Sequence, residues 1–207
     1  MQVLNTERPL NTERPPLSSI DPVSYGRTAI AFHWAAALLV IWVGALGLMH
    51  DSWPKGTQVF WINIHALFGL ALWVLVMARY RWRVKHAPPE FPANVGAFYR
   101  RLSRAAHLTM YVLLLVTPII GIVTFIWHAR ELDLGFFQVN FGVAKNRAVF
   151  GPTEDIHGYL AYALFALAGA HILAVLWHRF VKHDGVLQRM WPSAAPSAAS
   201  RAAQTVE

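Results

Sequence analysis

The feature that most constrains this chain is a long apolar run near its C-terminal end, residues 154–179, with the sequence EDIHGYLAYALFALAGAHILAVLWHR. A run of this length crosses a bilayer as one helix, yet it carries His157 near its start and His171 in its interior. The two imidazoles are fourteen positions apart, so we expect them on nearly the same face, separated by about 21 Å along the helix axis. An ionisable side chain inside a spanning helix is costly and indicates a functional site.

The composition favours a membrane protein and limits the metal chemistry. Of the 207 residues, 56% are hydrophobic and only 14% are charged, which is typical of a few membrane helices with short connections. The chain has no cysteine, which excludes disulfides, thiolate zinc sites, iron–sulfur clusters and covalent haem attachment. A metal would therefore rest on histidine, methionine or carboxylate. The net charge of +7 does not indicate a nucleic-acid partner, because the positive residues lie between the apolar runs.

Four apolar runs predict an all-α membrane protein, a bundle of four transmembrane helices within residues 25–191. The predicted spans are about 28–49, 60–77, 105–127 and 156–179, each close to the roughly 20 residues that a bilayer demands. Between the last two spans, residues 128–155 have mixed charge and predict a lid of short turns. Residues 1–24, which contain the repeat LNTERP, predict a disordered cytoplasmic tail. Residues 192–207, rich in Ala, Ser and Pro, predict a flexible cytoplasmic tail.

The charges between the second and third spans predict the orientation. Seven basic residues lie there with one acid, Glu90. The seven are Arg79, Arg81, Arg83, Lys85, Arg100, Arg101 and Arg104. Because basic residues concentrate on the cytoplasmic side of a membrane protein, this connection is predicted to be cytoplasmic. An even number of spans then places both termini in the cytoplasm.

With that orientation, the histidines fall into two layers. His33 and His171 are predicted near the inner side of the membrane, and His65 and His157 near the outer side. Two pairs of histidines at two depths favour two b-type haems, each with both axial positions filled, a state suited to electron transfer rather than oxygen chemistry. The haem propionates would need cationic partners. The inner candidates are Arg27, Arg79 and Arg104, and the outer candidates are Lys145 and Arg147.

The membrane histidines have alternative explanations. Zinc or copper is disfavoured because two-histidine sites without a third ligand bind either metal poorly. A purely structural role, in which the histidines are hydrogen-bonded core residues, explains one membrane histidine better than four at matched depths. His107 is the alternative inner ligand, although a supporting or surface role is preferred. His178 lies seven residues after His171 and is either a proton donor to a quinone near the inner haem or a solvated residue at the helix end. A proton channel would need acidic relays within the spans, and the spans show none.

The sequence resembles the bacterial cytochrome b561 family. The resemblance rests on AFHW around His33, NIHALFG around His65, RAAHLTMYVLLLVTPIIG, and DIHGYLAYALFALAGAHILAVLWH, and it covers about residues 25–191. It implies a four-helix protein of the bacterial inner membrane with two haem b groups and His33, His65, His157 and His171 as axial ligands. It also implies electron exchange with the quinone pool, with ubiquinone as the expected substrate.

In some members of that family, the resemblance implies oxidation of superoxide at the outer face with quinone as acceptor. Lys145 and Arg147 would attract this small anion, although four acids at residues 131, 133, 154 and 155 weaken the local field. The alternative is a membrane-anchor subunit that relays electrons between a periplasmic dehydrogenase or hydrogenase and quinone, with GFFQVNFG as an eligible docking patch. The larger, ascorbate-driven b561 group is not favoured.

Overall fold

The computed structural model describes residues 24–91 and 95–192, which form four long helices. These are α1 (Arg27–Leu48), α2 (Gln58–Lys85), α3 (Ala97–Trp127) and α4 (Arg147–Trp177). Each is long and apolar enough to span a membrane. The predicted all-α class with four transmembrane helices is confirmed. The predicted tails lie outside the described residues, except for Ser24 and Pro192 at their edges.

Three of the helices extend well beyond the predicted spans. Helix α2 continues to Lys85, α3 begins at Ala97, and α4 begins at Arg147, so much of the basic connection and part of the expected lid are helical. The apolar pattern marks only the stretch that faces hydrocarbon, about 20 residues, whereas a helix continues into the interface wherever its end is stabilised. At the start of α4, for example, the side chain of Asn146 accepts a hydrogen bond from the amide of Ala148 (3.1 Å).

The helices pack in chain order as antiparallel neighbours, α1 against α2, α2 against α3, and α3 against α4. The ring centres of Phe32 and Trp82 are 6.4 Å apart, which places the start of α1 beside the end of α2. The buried core is small and centres on Ala36, Leu72 and Val76. Many large apolar side chains point outward, as expected where the surrounding solvent is lipid.

Short elements close both ends of the bundle. Beyond α3, strands β1 (Leu132–Asp133) and β2 (Gln138–Val139) form an antiparallel hairpin where short turns were expected. The side chain of Asn63 in α2 holds this hairpin through two hydrogen bonds to the backbone of Asp133, at 2.7 and 3.0 Å. At the opposite end, a π-helical turn (His178–Lys182) and a 3₁₀ turn (Gln188–Met190) follow α4. The indole of Trp34 donates to the carbonyl of Met190 (2.8 Å) and fixes this segment against α1.

Candidate functional site

The structure brings the four candidate histidines together as two pairs, one near each end of the bundle. The ring centres of His33 on α1 and His171 on α4 are 6.4 Å apart. Those of His65 on α2 and His157 on α4 are 6.0 Å apart. Three helices therefore supply the two pairs, and α4 contributes one imidazole to each.

The separation of the rings fits one metal ion between the members of each pair. A bond from an imidazole nitrogen to a first-row metal is about 2 Å, so two such bonds and the two ring radii separate the ring centres by roughly 6 Å. The observed values of 6.0 and 6.4 Å match that separation. Among the described residues, no group of three or more His, Asp or Glu side chains could hold a metal. Each site therefore offers two imidazole nitrogens, which suits a cofactor that brings its remaining iron ligands with it, as haem does.

His65 and His157 form the outer pair, named for the side of the membrane on which the sequence predicts it, and each ring makes the same contact with a neighbouring helix. The Nδ1 atom of His65 lies 3.0 Å from the carbonyl oxygen of Val43 on α1, and the Nδ1 of His157 lies 2.9 Å from that of Thr117 on α3. Because a carbonyl oxygen only accepts, each Nδ1 must carry the proton and donate it. The Nε2 atom of each neutral ring is then unprotonated and available to a metal.

A glycine lies beside each of these outer rings, four residues after the accepting carbonyl. A Cβ atom on Gly47 would lie 3.1 Å from Cε1 of His65, and one on Gly121 would lie 2.8 Å from Cε1 of His157. Any side chain at Gly121 would displace the ring. The absence of a side chain is therefore what allows His157 to reach the backbone of α3.

The inner pair is supported differently, and a third imidazole lies beside it. The Nδ1 of His33 is buried and has no hydrogen-bond partner among the residues that the structure describes. The ring centre of His107 on α3 lies 5.3 Å from that of His171, and its Nδ1 is 2.6 Å from the carbonyl of Ser103. A 5.3 Å separation is shorter than the roughly 6 Å expected for two imidazoles on one metal, so the geometry favours His33 over His107 as the partner of His171.

The remaining candidate cations occupy different places. Arg79 lies on the side of α2 that faces the bundle, within contact of Tyr111, whereas Arg104 is exposed with its guanidinium over the ring of Phe91 (5.7 Å). Arg27 lines the mouth of a cavity at the same end as Arg79. At the opposite end, Lys145 and Arg147 are both exposed, and the Nζ atom of Lys145 lies 5.4 Å from the ring centre of Phe150.

At the outer end, cationic side chains lie near His128, a residue for which the sequence predicted no functional role. His128 packs on Phe150, with ring centres 4.4 Å apart. Burial lowers the pKa of His128, and the charges of Arg130 and Lys145 lower it further. Arg130 and Lys145 therefore both lie near His128. Lys145 comes close to His128 only through the fold of the chain after α3. A hydropathy pattern does not predict that fold.

His178 pairs with Asp184, a contact that the sequence did not predict. Its Nδ1 lies 2.5 Å from Oδ2 of Asp184, and the Asp184 side chain is only 7% exposed. The π-helical turn and the left-handed backbone of His183 (φ 51°) return the chain so that the two side chains meet. The carboxylate accepts the Nδ1 proton and leaves Nε2 of His178 free to exchange one. The sequence gives little signal for such a pair, since six-residue spacing falls on different faces of a regular helix.

Comparison with known proteins identifies relatives of most of the chain. The family model for prokaryotic cytochrome b561 matches residues 24–193. Cytochrome b561 homolog 2 of Escherichia coli (strain K12) is 29% identical over 176 residues, which is 82% of this chain and 92% of that protein. Cytochrome b561 homolog 1 of the same organism is 25% identical over 170 residues, covering 81% and 97%. The probable superoxide oxidase CybB of Yersinia pestis is 29% identical over 174 residues, covering 81% and 96%.

Proposed function

Since the chain belongs to the prokaryotic cytochrome b561 family, and is thus a multi-pass bacterial electron-transfer protein whose cytochrome b character implies haem b, we propose that it binds two haem b groups and exchanges electrons with membrane quinone. The observation that carries the proposal is the presence of two imidazole pairs with ring centres 6.4 and 6.0 Å apart. In this proposal, His33 and His171 hold the inner haem, and His65 and His157 hold the outer one. Each bound haem supplies a one-electron couple.

The protein's own residues hold the cofactors and keep the sites closed to other chemistry. A haem held by two imidazoles of this chain would have no open position for oxygen or another ligand, and it would supply electron transfer instead. The hydrogen bonds to Val43 and Thr117 fix the rings of His65 and His157, which limits reorganisation when the charge of a site changes. The two layers lie about 21 Å apart along α4, so the pair of sites spans most of the hydrocarbon core.

The haem count tests this proposal directly. Purified protein should contain about two low-spin haems per chain, in line with two sites of two axial ligands each. His157→Ala and His171→Ala should each remove one haem, and the haem that remains should differ in midpoint potential between the two variants. His50→Ala, at an exposed link position, is the matched control and should keep both haems. A colourless wild-type protein, or loss of the same haem from both variants, would contradict the assignment.

We place quinone reduction at the inner end, with His178 as the proton donor. Reducing one quinone to quinol takes two electrons and two protons. The buried carboxylate of Asp184 orients His178. His178 would supply protons to the quinone at the membrane boundary. Ubiquinone is the substrate that the family resemblance favours.

Asp184 should matter through His178 and not by itself. His178→Ala should slow haem reoxidation by added ubiquinone by roughly 100-fold or more, and Asp184→Asn should slow it by a smaller factor. The double variant should be no slower than His178→Ala, because the two residues act as one unit. His183→Asn, a neighbouring exposed histidine replaced by a residue that tolerates its backbone conformation, is the control. Normal reoxidation in His178→Ala would remove this residue from the mechanism.

Superoxide is the second candidate substrate, as electron donor at the outer end. Two superoxide ions would give up two electrons and leave as dioxygen, and one ubiquinone would take up those electrons with two protons. Arg130 and Lys145 both lie near His128, and Arg147 is two residues after Lys145, so these cations would attract the anion, although Glu154 lies beside Arg130. One relative carries the name probable superoxide oxidase. Rapid mixing of oxidised protein with superoxide should reduce the haems at a rate that falls with salt. Reduction no faster than the spontaneous background would exclude this donor.

A role as anchor subunit for a periplasmic dehydrogenase or hydrogenase is the alternative. The hairpin presents three aromatic side chains to its surroundings, Phe136, Phe137 and Phe141, which are 83%, 51% and 40% exposed. A partner of this kind would reduce the haems of wild-type protein but not those of Phe136→Ser. If every candidate partner reduced the haems of wild type and Phe136→Ser at equal rates, the anchor role would be excluded. The protein would then act as an electron carrier without a bound partner.

In the proposed arrangement, the protein lies in the bacterial inner membrane with both termini in the cytoplasm. Basic residues are concentrated at the end of α2 and the start of α3, the end that would face the cytoplasm. The hairpin and the His65–His157 pair then lie toward the periplasm.

A further inference from the structure

The buried stripe of α2 ends in two arginines. Leu72 and Val76 are 5% and 0% exposed and form part of the core. Arg79 and Arg83 follow at intervals of three and four residues, so they continue the same face of the helix toward the bundle interior. Both are partly buried, whereas Arg81 on the same helix is exposed.

A tyrosine of α3 lies against both guanidinium groups. The Cζ atoms of Arg79 and Arg83 are 5.7 and 6.0 Å from the ring centre of Tyr111. Tyr111 is one helical turn beyond His107, which itself contacts His171. The two arginines are therefore next to the inner histidines. The charge of Arg79 also acts on His33 and His171.

A cavity of about 450 Å³ opens beside these arginines. It lies between the start of α1, the end of α2 and Tyr111, and the exposed Arg27 also lines it. No Asp or Glu side chain is among the described residues that line it. Two guanidinium groups inside a membrane bundle, with no carboxylate to balance them, favour an anion as the occupant.

We propose that Arg79 and Arg83 bind the two propionate carboxylates of the inner haem, an assignment that rests on the function proposed above. Two carboxylates match two guanidinium groups in charge and in bidentate hydrogen-bonding geometry. Arg104 is not part of this site, since it is exposed and packs on Phe91. A lipid phosphate is the competing anion, but the position of Arg79 beside the inner imidazoles favours a group attached to the haem.

The midpoint potential of the inner haem tests this assignment without any measurement of turnover. A cation near the iron stabilises the reduced state, which carries one positive charge fewer. Arg79→Gln should therefore lower the midpoint potential of one haem and leave that of the other unchanged. Arg79→Lys keeps the charge and should retain most of the wild-type potential. Arg81→Gln removes the same charge from the exposed face of α2 and should change neither potential.

The His171→Ala background shows which haem responds. In that background only the outer haem should remain, and Arg79→Gln should then have no effect on its potential. If Arg79→Gln does not fold with haem, Arg83→Gln, which removes the neighbouring charge, carries the same comparison. Two haems with unchanged midpoint potentials in Arg79→Gln and Arg83→Gln would overturn the assignment. If those variants also lost bound phospholipid, measured as phosphorus, the two arginines would bind a lipid phosphate instead. Wild-type protein without haem would instead refute the proposed function itself.

Discussion

At the scale of single residues, the outer site depends on contacts between an imidazole and the backbone of a neighbouring helix. His65 and His157 each donate to a carbonyl and lie against a glycine four residues further along. The histidines themselves could be predicted from the sequence, because ionisable residues stand out in apolar helices. Gly121 could not be assigned this role, because its contact with His157 depends on how α3 and α4 pack.

Replacement of Gly121 should damage the outer site selectively. A Cβ atom there would lie 2.8 Å from Cε1 and 2.9 Å from Nδ1 of His157, so the ring must move and its hydrogen bond to Thr117 must weaken, at a cost of about 1–3 kcal/mol. We expect Gly121→Ala to lose outer haem, detected as a lower haem-to-protein ratio or as altered low-spin electron paramagnetic resonance. Gly151→Ala, also in α4, is the matched control, since a Cβ there meets nothing within 4 Å. Equal haem content and spectra in the two variants would show that the glycine is dispensable.

The titration of His128 gives a pH dependence with a definite sign. Burial lowers the pKa of His128 below its ordinary value of 6.5, and Arg130 and Lys145 lower it further. The folded protein therefore binds this proton less readily than the unfolded chain, and stability is lost as the pH falls from about 6.5 through the lowered pKa. Between pH 7 and pH 5, the midpoint of thermal unfolding should fall more for wild type than for His128→Gln. A larger fall in the variant would contradict the sign.

At the scale of elements, hydropathy predicted the number of helices but not their ends. Residues 78–85 and 97–104 were expected in a loop, yet they continue α2 and begin α3. Many of these residues are charged, and hydropathy predicts a helix only where its side chains contact hydrocarbon. The hairpin was missed for a related reason, since two strands of two residues each have no periodicity to detect. Tertiary contact through Asn63 stabilises the hairpin instead.

Removal of the Asn63 side chain should release the hairpin without affecting the haem sites. Asn63→Ala eliminates two hydrogen bonds to the backbone of Asp133, each worth about 0.5–1.5 kcal/mol. Hydrogen exchange in residues 132–139 should therefore accelerate by roughly 10-fold to 100-fold, while the haem content stays at the wild-type value. Gln58→Ala, which also removes a side-chain bond to backbone near the start of α2, is the control. Unchanged exchange in Asn63→Ala would mean that other contacts hold the hairpin.

At the scale of the whole molecule, two layers of histidines require that α1 and α4 begin on opposite sides of the membrane. This follows from an even number of antiparallel helices, and the contact between Phe32 and Trp82 shows the pairing of their ends. The inner level could be predicted only in part. Depth placed His33, His107 and His171 together, but the 5.3 and 6.4 Å separations that distinguish the two possible partners of His171 depend on helix rotation. Sequence spacing does not fix rotation between helices.

The orientation of the whole bundle can be measured because the chain contains no cysteine, so each introduced thiol is unique. Phe136→Cys places a thiol on the hairpin and Arg101→Cys places one near the start of α3, both at exposed positions. If basic residues face the cytoplasm, a membrane-impermeant maleimide added to intact spheroplasts should label Phe136→Cys at once and Arg101→Cys only after permeabilisation. Haem content serves as the control for folding in both. The reverse labelling pattern would exchange the two faces, and the cations around Lys145 would then lie on the cytoplasmic side, where they could not meet periplasmic superoxide.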